Sequence, residues 1–232
     1  MPKNKLIIHK LYYSPIKSLS FCSIKKLEIN KRIGVVNDRI YAFTKTISKN
    51  LSLKYQNMPK SRNLNNFLTL KNTPEINNFN FIINKNFLFL YFKKKLINKI
   101  FLKNKNNISN LFKKKFPKLK NVFFISNKKY PFFDTMPNHT ISMINMSSIN
   151  DFENKINKKI EHERFRGNIY IKNLNPWSEF KLINKIILIN KCSFLVLSKI
   201  PRCSATNLKI DSDKSDINLP LKLMKTYGHR NL

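Results

Sequence analysis

The sequence predicts a mainly β chain of the α+β class, with a barrel- or sandwich-like N-terminal β unit, a second β-rich unit and a few short helices. Short runs of β-branched and aromatic residues recur from Leu6 to about Phe92. Clusters of Asn and Pro, at Asn63 to Asn66 and Asn72 to Pro74, separate them as turns. Strands at such close spacing favour a barrel or sandwich.

The strands expected in order are Leu6 to Tyr13, Ile24 to Ile29, Arg39 to Phe43, Phe67 to Leu70, Phe79 to Ile82 and Phe87 to Phe92. The last, followed by Lys93-Lys-Lys95, has two readings. It resembles aromatic stacking beside a cationic groove, but a buried strand with a charged exit that blunts a sheet edge is preferred. Lys93 to Asn121 reads as a solvated, lysine-rich connection with a short helix near Ser109. That helix stops before Pro117, because the residue ahead of proline avoids the α region. A strand at Thr140 to Ile144 opens the second half, and Ser148 is expected to cap a helix running to about Ile156. Strands at Asn168 to Lys172, Lys185 to Ile189 and Ser193 to Leu197 follow. A final helix at Leu219 to Tyr227 ends at Gly228. The domain boundaries expected are 1–95, 96–134 and 135–232.

Composition bounds the function classes. The 232 residues can bury a real core, and the 42% apolar content with 19 Phe excludes a disordered chain. The net charge of +33 suggests nucleic acid, yet the only arginines are Arg32, Arg39, Arg62, Arg164, Arg166, Arg202 and Arg230. The remainder of the 45 basic residues is lysine, abundant alongside Asn, Ile and Phe, while glycine falls to three. That profile fits drift in an A/T-rich genome better than a selected nucleic-acid face, which leans on arginine for bidentate contacts. Three cysteines, Cys22, Cys192 and Cys203, make no paired framework and fit a reducing compartment. Leader and membrane-span patterns are lacking, so a cytoplasmic location is expected. His9, His139, His162 and His229 lack metal spacing, and no Gly-rich phosphate loop is present.

Cys203 has two readings, a small buried hydrophobe at a strand–turn junction or a reactive, metal-ligating thiol. It lies in Ile200-Pro-Arg-Cys-Ser-Ala-Thr-Asn207, after an apolar strand and beside Arg202. A neighbouring guanidinium favours the thiolate, and a thiolate is the soft ligand that a heavy metal takes. Further segments accompany it: Leu11-Tyr-Tyr-Ser-Pro-Ile-Lys-Ser18, Gly34-Val-Val-Asn-Asp-Arg39, Ile141 to Ser148, Arg164-Phe-Arg-Gly-Asn168 and Pro176-Trp-Ser-Glu179. In this order the motifs resemble the MOSC family, proteins related to the C-terminal domain of molybdenum-cofactor sulfurase and to amidoxime-reducing molybdoenzymes.

The resemblance implies a β-barrel-like MOSC fold over 135–232 behind an N-terminal β domain, and the molybdenum cofactor as ligand. It also carries an association with pyridoxal phosphate binding. Cys203 matches the family cysteine and becomes the protein ligand on molybdenum. Lys17, Ser18, Arg39, Thr140, Ser148, Arg166, Asn168 and Arg202 become cofactor contacts. Arg39 is expected on the phosphate, and Arg166 and Asn168 are expected to share one face of an extended segment. Trp177 and Glu179 read as structural, and Gly167 as a tolerated departure. Relatives run on past the position of Gly228, so a truncated C-terminal end is expected. The implied function is reduction of N-hydroxylated small molecules, with electrons from a separate electron-transfer protein or reductase. Nucleic acid and membrane are not expected partners. Two other readings stay open: a sulfur or cofactor carrier with Cys203 as a persulfide, and a basic nucleic-acid-binding module.

Overall fold

The computed structural model describes residues 6–19, 21–133 and 141–232. Over them the chain is α+β, with thirteen strands and four α-helices. The first part runs β1 (Ile7–Tyr13), β2 (Cys22–Ile24), β3 (Ile29–Asn30), β4 (Gly34–Val35), β5 (Tyr41–Lys45) and α1 (Lys49–Asn57). It continues with β6 (Phe79–Asn84), β7 (Phe87–Phe92), β8 (Lys95–Phe101), α2 (Lys105–Lys115) and β9 (Val122–Ser126). Then come β10 (Met143–Asn145), α3 (Met146–Ile156), β11 (Ile169–Lys172), β12 (Ile186–Ile189), β13 (Cys192–Leu195) and α4 (Leu219–Tyr227). The described strand pairs build several open sheets rather than one continuous ladder. The chain divides into two compact units: an N-terminal one of residues 13–133 with 211–214, and a C-terminal one of residues 6–12, 141–210 and 215–232.

Phenylalanine builds the N-terminal unit. β5 and β9 pair antiparallel with Phe43 opposite Phe124. Phe43 stacks on Phe112 of α2 at 4.3 Å and meets Phe124 and Phe81 at 4.9 and 5.7 Å. Phe43, Phe81 and Phe112 are fully buried, each stabilising the fold by about 1.5–3 kcal/mol. β6, β7 and β8 form an antiparallel meander with β7 in the middle. Lys93 and Lys94 join β7 to β8, both at positive φ, as a two-residue hairpin turn with the twist of its strands demands. Asn-Gly would fit this turn with less strain; a chain with three glycines uses lysine instead.

Helices begin where polar side chains cap them. Ser48 Oγ accepts the Leu51 N–H (3.2 Å) at α1, and Asn104 Oδ1 accepts the Asn107 N–H (3.2 Å) at α2. The helix expected near Ser109 therefore starts a turn earlier. Ser109 instead sits within α2, where its Oγ donates to Lys105 O (2.7 Å) and accepts the Phe124 N–H (2.8 Å), stapling helix to strand. The helix stops at Lys115, ahead of Pro117 as expected. Phe67 to Leu70 forms no strand beyond one bridge, Thr44 to Phe67. Ile24 to Ile29 breaks into the ends of β2 and β3.

In the C-terminal unit β11 pairs antiparallel with β1 and parallel with β10. Ile169, Tyr170 and Ile171 are all buried, the run of apolar residues that a strand covered on both faces requires. Gly167 leads into β11 where a Cβ would lie 2.4 Å from Ile144 Cγ1, so this glycine is demanded by close approach. The cap of α3 is Asn145, whose Oδ1 accepts the Ser147 N–H (3.0 Å). Ser148 lies inside the first turn, a correction to the capping-box reading, because its hydroxyl is claimed by other partners described below. α4 matches the expected span and ends at Gly228, φ 71°. The two expected strands appear as β12 and β13, and the structure pairs them as an antiparallel hairpin.

Candidate functional site

The cysteine loop of the C-terminal unit is held at both ends by arginines. Residues 200–202 run beside 230–232, with Arg202 N–H donating to Arg230 O (2.7 Å) and Leu232 N–H to Ile200 O (3.3 Å). Arg202 thereby points inward. Its Nη1 donates to Phe165 O (3.1 Å) and its Nη2 to Leu232 O. Burial brings its pKa down to about 10, while Tyr170 and Cys203 act in the opposite direction. Its Nε is buried without a hydrogen-bond partner among the described residues.

Cys203 follows with extended backbone and an exposed thiol. Its carbonyl accepts the Thr206 N–H (3.0 Å) and Oγ1–H (2.8 Å), starting the 3-10 turn Ser204–Asn207. At the far end Asn207 O accepts from Arg164 Nη1 (3.3 Å), and Asn207 Oδ1 accepts the Leu219 N–H (2.9 Å) at the start of α4, which Asn218 caps. The Cys203 turn is thus tied at one end by Arg202 and at the other by Arg164. Arg202's own charge is spent on two backbone carbonyls, which weakens the sequence argument that it serves the thiol.

Arg164 is buried and clamps two carboxylates. Its Nε donates to Glu161 Oε2 (2.6 Å) and its Nη1 to Asp216 Oδ1 (2.6 Å). These bonds raise its pKa above the usual value against the cost of burial. Asp216 is held at about 2, chiefly by the Arg164 hydrogen bond, with burial opposing. Sequence reasoning placed Arg164 in the motif without giving it a role; its signal was arginine in a lysine-rich chain.

Arg166 is half-buried and left-handed, φ 51°. The expected extended segment presenting Arg166 and Asn168 on one face is therefore not formed at Arg166. Asn168 is buried and fully used. Its Oδ1 accepts the Ser142 N–H (3.2 Å) and Oγ–H (3.0 Å), and its Nδ2 donates to Tyr12 O (3.3 Å). The segment is anchored further by the Tyr12 hydroxyl, which donates to Glu163 Oε1 (3.1 Å) and lies 3.0 Å from His162 Nε2. Tyr170 OH donates to His162 O (2.8 Å) and accepts the Gly167 N–H (3.1 Å). Burial pushes the Tyr170 hydroxyl well above its ordinary pKa.

Ser148 belongs to a second network. Its Oγ donates to Glu179 Oε1 (2.6 Å) and accepts the Trp177 N–H (2.8 Å). Asn145 Nδ2 donates to Glu179 Oε2 (2.8 Å), and Trp177 Nε1 donates to Asp151 Oδ2 (2.7 Å). Trp177 and Glu179 are loop anchors, as their sequence reading held. Thr140 lies outside the described residues.

In the N-terminal unit, Lys17, Ser18 and Arg39 gather around one turn. Asp38 Oδ1 accepts the Ser14 N–H (2.6 Å), and Arg39 N–H donates back to Ser14 O (2.6 Å), so the Asp-Arg pair fixes the Pro15-Ile-Lys-Ser turn. Arg39 pairs through Nη1 with Asp38 and stands 5.3 Å from the Phe133 ring centre. Lys17 is buried, with Nζ donating to Phe132 O (3.3 Å). Ser18 and Arg39 are left-handed, φ 62° and 52°. Lysines elsewhere, such as Lys93 and Lys94, do the same, so positive φ does not single these two out.

Among the described residues no three His, Cys, Asp or Glu side chains gather as a metal-binding group, and no helix is long and apolar enough to cross a membrane. Compared with known families, residues 133–230 match the MOSC domain. No curated protein matches the chain.

Proposed function

From the premise that this chain carries a MOSC domain at residues 133–230, we propose that it is a molybdenum-cofactor-dependent oxidoreductase acting on N-hydroxylated small molecules. The exposed thiol of Cys203, on a turn fastened by two arginines, is the observation that carries this reading. A soft metal needs a thiolate that solvent and ligand can reach, held on backbone that does not drift. Cys203 has both properties.

The donor set of the unit fits the group. Cys203 supplies the soft ligand, and Arg166 supplies a cation of the kind that an anionic pterin phosphate takes. When bound, the cofactor supplies two-electron redox chemistry at its metal. The protein's part is positioning. Arg202 and Arg164 hold the turn that presents the thiol, Asn168 and Tyr170 hold the segment that carries Arg166, and Glu179 with Ser148 holds the following loop. Arg202, Asn168 and Ser148, expected to touch the cofactor, act as positioning residues, since Arg202 Nη1, Asn168 Oδ1 and Ser148 Oγ bond to partners within the protein. Roles for Lys17, Ser18 and Arg39 rest on the resemblance, as does an N-terminal β domain of the MOSC-associated kind. The electrons come from a separate donor.

The test is molybdenum and pterin content of the full chain, purified from a host that makes the cofactor, beside Cys203→Ala. Bound metal in the parent and its loss in the variant, with N-hydroxylated substrate reduced under an artificial donor, is expected. Metal retained by Cys203→Ala overturns the ligand role, and a persulfide on Cys203 without metal favours sulfur carriage.

A further inference from the structure

The β6–β7–β8 meander has a second face that the core does not use. Register places Asn84, Phe87 and Phe101 in one cross-strand row, Ile82, Phe89 and Lys99 in the next, and Asn80, Tyr91 and Leu96 in the third. The alternate residues Phe81, Leu88 and Leu90 are fully buried. On the outer face Phe87, Phe101, Ile82 and Leu96 are 37%, 42%, 41% and 48% exposed. Lys99 Nζ stands 4.4 Å from the Phe87 ring centre and 5.5 Å from that of Phe89, and Phe87 meets Phe101 edge-on at 5.6 Å. Between Phe79 and Lys103 the chain holds Lys85, Lys93, Lys94, Lys95, Lys99 and Lys103 and no acidic residue.

We propose that this outer face binds single-stranded nucleic acid, with Phe87, Phe89 and Phe101 as stacking surfaces and Lys99 and the hairpin lysines on the phosphates. Aromatics two residues apart on a strand are spaced by ~6.7 Å, enough to take successive unstacked bases. A sheet that mounts rings between cations offers the two things a single strand presents at every nucleotide, a π-face and a negative charge. A duplex keeps its bases stacked and shows only charge to such a surface. An anionic membrane or acidic protein would use the lysines but has no need of rings in register. The sequence reading of Phe87 to Phe92 as a buried strand thus describes the Leu88 and Leu90 face, while the set-aside stacking pattern describes the other. This inference is independent of the proposed molybdenum chemistry.

The experiment is fluorescence anisotropy of the full chain with a labelled single-stranded oligonucleotide of ~10 nucleotides, and with its duplex, at about 50 and 200 mM salt. Phe87→Leu/Phe89→Leu keeps apolar bulk while removing the rings; Phe101→Leu repeats the test on the neighbouring strand, and circular dichroism checks that each variant folds. The single strand is expected to bind at least ~10-fold tighter than the duplex at the higher salt, with the ring variants losing at least ~5-fold. Lys99→Gln is expected to weaken binding more than Lys222→Gln on α4. Equal affinity for duplex and single strand, or ring variants that bind like the parent, reduces the effect to net charge and overturns the proposal. So does ring-dependent capture by phosphatidylserine vesicles without oligonucleotide binding.

Discussion

Arginine in this chain marks places where lysine's single point charge does not serve. Arg62 donates through Nε to Tyr55 O (2.8 Å), through Nη1 to Pro131 O (2.9 Å) and through Nη2 to Tyr130 O (2.8 Å), with its plane 4.0 Å from the Phe132 ring centre. Arg164 and Arg202 make comparable multi-point clamps. A planar fork satisfies several acceptors at once; an ammonium cannot span them. Arg62→Lys should therefore leave carbonyls unpaired and cost about 1–3 kcal/mol, measurable by urea denaturation, whereas Lys→Arg on the solvated faces should change little. The resemblance gave Arg39 and Arg166 cofactor roles, and their scarcity in a lysine-rich chain agrees with a role. The same scarcity also reports structural demand, and only coordinates separate the two. Cys203 was legible because its neighbours are unusual; Ser148 was misread because a serine before a helix fits several local bonding patterns, and its long-range partner Glu179 has no local signature.

At the scale of elements, the Arg164–Asp216 pair fastens the loop that leads to α4. Asp216 lies well below its ordinary value of 3.8, at about 2 in the fold. Between those values the unfolded chain binds more protons than the folded one, so acid favours unfolding there. The contribution is fully present above about pH 4 and is lost as pH falls through about 2. Asp216→Asn should lower the melting temperature at neutral pH and flatten its fall between those two values, read by thermal scans across acid pH. An unchanged acid slope in the variant sinks the clamp. Most elements with strong local signals were legible, though not β9, whose apolar run Val122-Phe-Phe-Ile125 lay beside the segment read as a solvated connection. α4 had its Gly228 stop, and β7 its unbroken apolar run. α1 was missed, and so were β8 and β9. α1 is short and leaves only Leu51, Leu53 and Tyr55 as apolar positions among lysine, asparagine and glutamine, and most of β8 is exposed, so neither shows a clean apolar period. Their identity comes from tertiary partners: Gln56 Oε1 of α1 accepts the Ser126 N–H of β9 (3.1 Å), and β8 pairs with β7.

The whole molecule carries 45 basic against 12 acidic residues, and most of the surplus has no opposite charge to meet. Carboxylates such as Asp38, Glu153, Glu161 and Asp216 already sit in ion pairs. What remains is uncompensated positive charge, and its self-repulsion is strongest in the compact state, where the charges are closest. Screening relieves it: the Debye length shortens from about 30 Å at 0.01 M salt to about 8 Å at 0.15 M. The melting temperature should accordingly rise as sodium chloride is added over this range, the reverse of a fold dominated by exposed ion pairs. The few pairs above are short and partly buried, so they lose less to the same salt than the long-range repulsion does. A single-stranded oligonucleotide at low salt should raise the melting temperature as well, through neutralisation and through preferential binding to the folded sheet. Heparin separates the two terms, since it carries charge without bases. If heparin matches the oligonucleotide at equal charge in the parent and in Phe87→Leu/Phe89→Leu alike, the stabilisation is neutralisation alone; a surplus that only the oligonucleotide gives, and only with the rings in place, belongs to the outer face of β6–β8.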